Sequence, residues 1–238
     1  MIVAWLRNQT PPMETALPNL RYERKFVAKG FTPAEVLARV RRHPCGFREV
    51  YPPRVVNNIY LDSPSRRDYY DHVNGTANRT KTRVRWYGPK FESAERPTLE
   101  RKLKRGLVSS KTGHALPKFA VNGGCLQSLL TGNFKTADLP PVLRLGLQHM
   151  EPALINRYRR HYFLSHDGRF RLTVDSELQF AGVQPDGRRT AFLAFGAAVV
   201  IIELKFAPEF AENASLVTNA LPFRISRFSK YVAGIQTM

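Results

Sequence analysis

R-T-K-T-R-V-R-W-Y-G, from Arg79 to Gly88, alternates basic side chains with β-branched and aromatic ones. Taken with a period of two, Arg79, Lys81, Arg83, Arg85 and Tyr87 fall on one side, and Thr80, Thr82, Val84 and Trp86 on the other. The β-branched and aromatic content makes it a strand, and successive side chains on a strand point to opposite faces. One face therefore carries four cations and the other carries the residues that pack. Cations repeated every ~7 Å repel one another unless water or a polyanion faces them. This strand alone leaves two readings open: a solvated outer face, or a surface built for chained negative charge.

Working outward, charge recurs at period two in six segments: 22–28, 79–87, 98–104, 155–164, 169–175 and 198–206. Residues 98–104 place Glu100, Lys102 and Lys104 on one face and Leu99, Arg101 and Leu103 on the other. Residues 154–165 and 169–175 read as a hairpin joined by His166-Asp167-Gly168. A further strand is expected at 55–62, ended by Ser63-Pro64. Helices are fewer. Thr32, Pro33 and Glu35 form a capping box that starts a helix running to about Arg42, with Val36, Leu37 and Val40 as its buried stripe. A short helix is expected around Ser65–His72, before a turn at Asn74-Gly75, and a helical region at 211–221. Glycines and prolines between 106 and 152 predict helices and loops there, and Pro11, Pro12 and Pro18 mark residues 1–19 as a flexible leader, with Met13 an alternative start.

If all the charged faces met solvent, the apolar backs would need a larger helical cover than the sequence offers. The pattern predicts instead an α+β fold: an antiparallel sheet closed into a barrel, charged faces inward, with a few peripheral helices. A cation-lined interior is unfavourable unless carboxylates and a bound polyanion neutralise it. Glu23, Glu100 and Glu203 each precede a lysine by two residues (Lys25, Lys102, Lys205). Such carboxylates are either neutralising ion pairs or a cluster for Mg²⁺ or Mn²⁺, hard cations that take oxygen ligands; the threefold recurrence favours the second.

Composition agrees. In 238 residues, 37 Lys+Arg stand against 19 Asp+Glu, a formal charge of +18, and such a field favours polyanions. Cys45 and Cys125 are far apart with no metal-like spacing, which argues against a disulfide framework or a zinc site and for a reducing cytoplasm. No apolar run is long enough to cross a bilayer, although a basic surface can dock on anionic lipid. Helix-turn-helix, zinc and RNA-binding motifs are absent, so nucleic acid is not the expected partner. The six histidines are scattered and read as structural.

The ordered set R-Y-E-R-K-F (21–26), Y-L-D-S-P (60–64), N-R-T-K-T-R-V-R-W-Y-G (78–88), L-E-R-K (99–102), Y-R-R-H-Y-F (158–163), R-L-T-V-D-S-E-L (171–178), I-E-L-K-F (202–206) and F-S-K-Y-V-A-G-I (228–235) resembles the VTC domain, the polyphosphate polymerase domain of the vacuolar transporter chaperone proteins within the triphosphate tunnel metalloenzymes. The resemblance spans residues 20–238 and implies a tunnel of about eight antiparallel strands. It implies that ATP and inorganic polyphosphate are the partners and that Mn²⁺ or Mg²⁺ is the cofactor. By motif, Lys25, Arg83, Arg85, Lys102, Arg160, Arg171 and Lys230 become the phosphate-handling catalytic set. Lys81, Lys205 and Ser229 join them in substrate binding. Glu203 becomes the metal ligand, with Glu23 and Glu100 as further metal candidates. The membrane helices of the eukaryotic complex are not seen, which implies a separate membrane protein if product is translocated. A tripolyphosphate or nucleoside triphosphate hydrolase, and a non-catalytic polyanion binder, are the alternatives.

Overall fold

The computed structural model describes residues 21–105, 108–121, 124–196 and 199–238; the leader expected over 1–19 lies outside them. All six segments with charge at period two form strands. In chain order the elements are β1 (Tyr22–Lys29), α1 (Pro33–Arg41), β2 (Arg48–Asp62), α2 (Arg67–Val73), β3 (Asn78–Tyr87), β4 (Ser93–Ala94), β5 (Thr98–Arg105), β6 (Val108–Ala115), β7 (Phe119–Ala120), α3 (Leu126–Thr136), α4 (Pro141–Leu147), β8 (Glu151–Leu164), β9 (Phe170–Ala181), β10 (Leu193–Ala194), β11 (Val199–Phe206), α5 (Ala214–Asn219) and α6 (Lys230–Thr237). The capping box holds: Thr32 Oγ1 accepts from the Glu35 amide, and the Glu35 carboxylate accepts from the Thr32 amide at 2.8 Å.

One large antiparallel sheet runs β1-β11-β9-β8-β2-β3-β5-β6, and β10 extends β9. Two expectations need correction. Residues 106–152 do not consist of helices and loops alone: V-S-S-K-T-G-H-A forms β6, a full partner of β5, and β4 and β7 make a small second sheet. Nor is the sheet a closed barrel, since among the described residues no ladder joins β1 to β6. The chain's own last extended segment takes part of the open edge. Ile225 bridges Phe26, and the Ser226 amide donates to the Lys25 carbonyl at 2.8 Å. The sheet still curls enough that Glu23 of edge strand β1 lies 3.7 Å from Lys102 of β5, the strand next to the other edge, β6. Side chains span this seam where a ladder would close a barrel.

The outer face is apolar and covered in two patches. Phe26, Leu172, Val174, Ile202 and Leu204 pack under α1 and α5. Ile59, Val84, Trp86, Leu99 and Ile155 pack under α3, α4 and the small sheet. Each such aliphatic side chain contributes about 1.5–3 kcal/mol by leaving water. The inner face divides along its length into a charged part and an apolar part. A bulge in β9, where the β8 register shifts and Glu177 adopts φ 55°, turns Leu178 and Phe180 inward beyond Asp175. With Val56, Leu154 and Ile201 they receive Tyr231 of α6. Gly234 lets α6 come this close, because a Cβ there would meet Leu154 Cδ2 and lie 2.7 Å from Phe180 Cδ1. Helix α6 thus fills the apolar part of the curl, and the segment just before it reaches the charged part, where the Phe228 carbonyl accepts from Lys25 at 3.1 Å.

Candidate functional site

Inner-face parity brings the basic residues of seven strands and α6 to one side of the curled sheet. The register pairs Lys25 with Glu203, Lys205 with Arg171, Arg160 with Asp175, Arg83 with Glu100, and Lys81 with Lys102. Arg160 is the inward arginine of its strand. Arg157 and Arg159 face outward, the first donating to the Pro89 carbonyl and the second to Glu177.

Two carboxylates organise the deeper group. Asp175, with no exposed surface, accepts both arms of Arg160 at 2.6 and 2.7 Å and also Lys230 at 2.5 Å. Glu203 lies 3.4 Å from Lys205, 3.6 Å from Lys230 and 3.8 Å from both Lys25 and Arg160. Burial acts to raise the Glu203 pKa, but Lys230, Lys25, Lys205 and Arg160 together hold it well below the usual range. Burial likewise opposes the charge on Lys230, yet Asp175 and Glu203 lift its pKa to about 12. Glu203 and Lys230 are therefore both ionised at neutral pH. Glu23 is held low as well: burial and the Glu203 charge raise it, and Lys25 at 3.0 Å, Lys205 and Lys102 outweigh them.

Glu100 organises a second group. It accepts Arg83 at 2.6 and 2.8 Å and Lys111 of β6 at 2.8 Å, with Arg85 3.7 Å away. Despite burial, these three cations bring its pKa to about 2. Tyr158 joins the groups: its hydroxyl accepts from Arg85 at 3.1 Å, and its ring lies 5.3 Å from the Arg160 guanidinium and 4.8 Å from the Lys230 ammonium. Asn58 fixes the other edge of Arg85 at 2.8 Å.

Three sequence-assigned cations are less constrained. Lys81 donates to Ser229 Oγ at 2.9 Å and makes no ion pair among the described residues. Burial, Lys25 and Lys102 push its pKa down to about 7. Arg171 is exposed at one edge with no ion pair among the described residues, and Lys102 reaches only Glu23. Ser229 also caps α6 through the Val232 amide at 3.3 Å, which sets Lys230 at the first helical position.

Basic side chains outnumber carboxylates by more than two to one here, and Glu100 and Asp175 are spent in fixing Arg83, Arg85, Arg160 and Lys230. Lys81 and Arg171 make no ion pair among the described residues, and Lys102 and Lys205 hold single looser ones, at 3.7 Å to Glu23 and 3.4 Å to Glu203, so these four are the cations least tied to a carboxylate. Two of the three E-x-K pairs are same-strand ion pairs, Glu23–Lys25 and Glu203–Lys205, whereas Glu100 prefers Arg83 and Lys111. For a divalent cation, Glu203 and Glu23 offer ionised oxygens on adjacent strands, a donor type that suits Mg²⁺ or Mn²⁺. Among the described residues no three acidic, His or Cys side chains are grouped to hold a metal alone. The donor set therefore fits an ion that shares its coordination with ligand phosphate.

The family model described as the VTC domain matches residues 20–238. The chain belongs to the VTC domain family. No curated protein matches the sequence. Among solved structures, this VTC domain is similar to a candidate adenylate cyclase from Vibrio parahaemolyticus, with TM-score 0.53, 12% identity, and coverage of 91% of this chain and 98% of that one. A protein of Pyrococcus horikoshii OT3 gives TM-score 0.50 at 13% identity over 92% and 100% of the two chains. A candidate adenylyl cyclase from Hippeastrum, described with a dominant triphosphatase activity, gives 0.47 at 14% over 91% and 96%. At these identities the likeness concerns the fold.

Sequence reasoning missed Asp175, Lys111, Tyr158 and Asn58 in this VTC domain. For Asp175 and Tyr158 a signal existed, since each shares parity with an assigned arginine, Arg171 and Arg160 respectively. No described helix is long and apolar enough to cross a membrane.

Proposed function

We propose that this VTC domain is a polyphosphate polymerase that transfers the γ-phosphoryl group of ATP to the end of an inorganic polyphosphate chain. The observation that carries the reading is the division of labour among the cations. Arg83, Arg85, Arg160 and Lys230 are held by the buried carboxylates of Glu100 and Asp175, while on the same face Lys81 and Arg171 make no ion pair among the described residues and Lys102 and Lys205 only single looser ones.

Phosphoryl transfer depends on alignment and on neutralising charge spread over the phosphoryl oxygens. A terminal oxygen of the polyphosphate forms the new bond to the γ-phosphorus, the bond from that phosphorus to the β,γ-bridging oxygen breaks, and ADP leaves with the electron pair. The attacking oxygen is already ionised, so no general base is required, in keeping with the absence of a histidine from the charged groups. Locked guanidiniums present fixed forks to the oxygens that gain charge. The more loosely held lysines follow a chain whose length changes at each turnover. A divalent ion shared between Glu203, Glu23 and substrate phosphate would withdraw negative charge from the transferring group.

Incubating the protein with ATP and Mn²⁺ and resolving the products by gel tests this. Long-chain polyphosphate accompanied by ADP is expected, and Glu203→Ala abolishes it. Release of inorganic phosphate without chains would replace the polymerase by a hydrolase in which water is the nucleophile, and polyanion binding without turnover would leave a non-catalytic binder.

A further inference from the structure

A cavity of about 450 Å³ opens between α2, the end of α4 and the paired ends of β3 and β5, lined by outward Thr80, Arg101 and Leu103 and also by Arg79 and Lys104 of the other parity. It shares no residue with the charged groups above. Its walls hold charge of both signs that nothing uses. Arg67, Arg101 and Arg105 line it and make no ion pair among the described residues. Asp68 on the α2 wall is only 8% exposed, and its carboxyl has no hydrogen-bond partner among the described residues: Oδ2 is shut in, and Oδ1 is the oxygen left for a ligand in the cavity.

The neighbouring acid shows how different this is. Asp62 accepts from the amides of Ser63, Asp68 and Tyr69 and from the Tyr231 hydroxyl, so it is satisfied where it lies. A buried polar oxygen left unmatched costs about 1–3 kcal/mol, and buried polar groups in folded proteins are nearly always matched. Arg101 is near enough to stabilise the Asp68 charge but is held on the β5 wall and does not pair with it. Burial and the Asp62 and Asp71 carboxylates push the Asp68 pKa up to about 7, so near neutrality this carboxyl serves as either acceptor or donor. An unmatched carboxyl on one wall and unspent guanidiniums on another are complementary to one molecule that carries an anion and a hydrogen-bond donor together.

We propose that this cavity is a second ligand site, distinct from the polyphosphate face, for a small phosphomonoester that brings its own hydroxyl or amino donor, with mononucleotides the class that suits its size. The phosphate would lie on Arg67, Arg101 and Arg105, whose planar forks match a dianion, and the donor on Asp68. The volume falls within the range of small-molecule sites, roughly 300–1,000 Å³.

The test is a titration of AMP and GMP into the full chain carrying ring-labelled histidine, with saturating tripolyphosphate present to occupy the charged face. His149 lines the cavity and reports on it; His149→Gln assigns its signal. Saturable shifts of His149 are expected with at least one nucleotide, and Arg101→Gln should weaken binding roughly tenfold or more. Asp68→Ala should weaken the nucleotide but not inorganic phosphate. Tripolyphosphate affinity should stay unchanged in both variants, which separates this site from the proposed polymerase face. The inference is overturned if His149 stays unmoved at millimolar AMP and GMP, or if tripolyphosphate abolishes the nucleotide shifts while Arg101→Gln leaves them intact.

Discussion

Replacing Asp175 by Asn tests the view that buried carboxylates hold the basic face in readiness. Asp175 is inaccessible to water and neutralises two cations that are themselves largely buried, Arg160 through two hydrogen bonds and Lys230 through one ion pair. The amide keeps the shape and removes the charge. Glu203, 3.8 Å from Arg160 and 3.6 Å from Lys230, is then the one carboxylate left to both. Breaking a buried ion pair by removing one partner costs about 3–5 kcal/mol, and sharing Glu203 should keep the loss near the lower figure. Urea unfolding at pH 7 should therefore show the variant less stable by ~3 kcal/mol. Added tripolyphosphate should return a larger share of stability to the variant than to the wild type, because the anion replaces the missing charge; at a hundredfold excess over Kd, binding alone contributes about 2.7 kcal/mol. The sign with pH follows from the depressed pKa of Asp175, where Arg160 and Lys230 outweigh burial. Its contribution is fully present above the unfolded value of about 3.9 and is lost as pH falls through the lower folded value, so the gap between the proteins should close under acid. A loss under ~1 kcal/mol, as an exposed pair would give, or a variant no more responsive to tripolyphosphate than the wild type, would refute the reasoning.

Lys81, with its pKa near 7, should take up a proton when tripolyphosphate binds above pH 7; calorimetry in buffers of different ionisation enthalpy reads the uptake, and Lys81→Met should remove it. In the free protein the same group binds fewer protons than in the unfolded chain, so its penalty on folding should ease as pH rises from about 7 towards 10.4. Gly234→Ala should cost about 1–3 kcal/mol in urea unfolding, because the added methyl overfills the contact of α6 with Leu154 and Phe180. Tyr231→Phe should cost ~1–2 kcal/mol by removing one of the donors to buried Asp62.

Which faces of the long strands would meet was legible, because Lys81, Arg83 and Arg85, or Glu203 and Lys205, keep strict alternation beside apolar residues that need cover. β6 was not legible: V-S-S-K-T-G-H-A lies at a sheet edge, has little to bury and contains Gly113, so neither alternation nor β-branching marks it, and Lys111 was lost with it. The bulge at Glu177 breaks the parity rule locally, so counting in twos from Arg171 places Leu178 and Phe180 on the wrong face. The open edge depends on where residues 225–229 lie, and their sequence carries no pairing signal. The same fact hid how Lys230 reaches Asp175, a contact between residues 55 positions apart that only the docking of α6 creates.

The open flank between β1 and β6, crossed by side chains of β1, β3 and β5, would set how the long substrate of the proposed reaction comes and goes. A cylinder stitched all round by backbone bonds exchanges linear molecules only end-on, and a thread must be pulled through its whole length. Along this flank the join is made of Glu23 with Lys102 and Lys81 with Ser229, contacts of about 1 kcal/mol apiece. Such a flank can part sideways and shut again, which would let the polyphosphate of the proposed reaction enter without finding the rim.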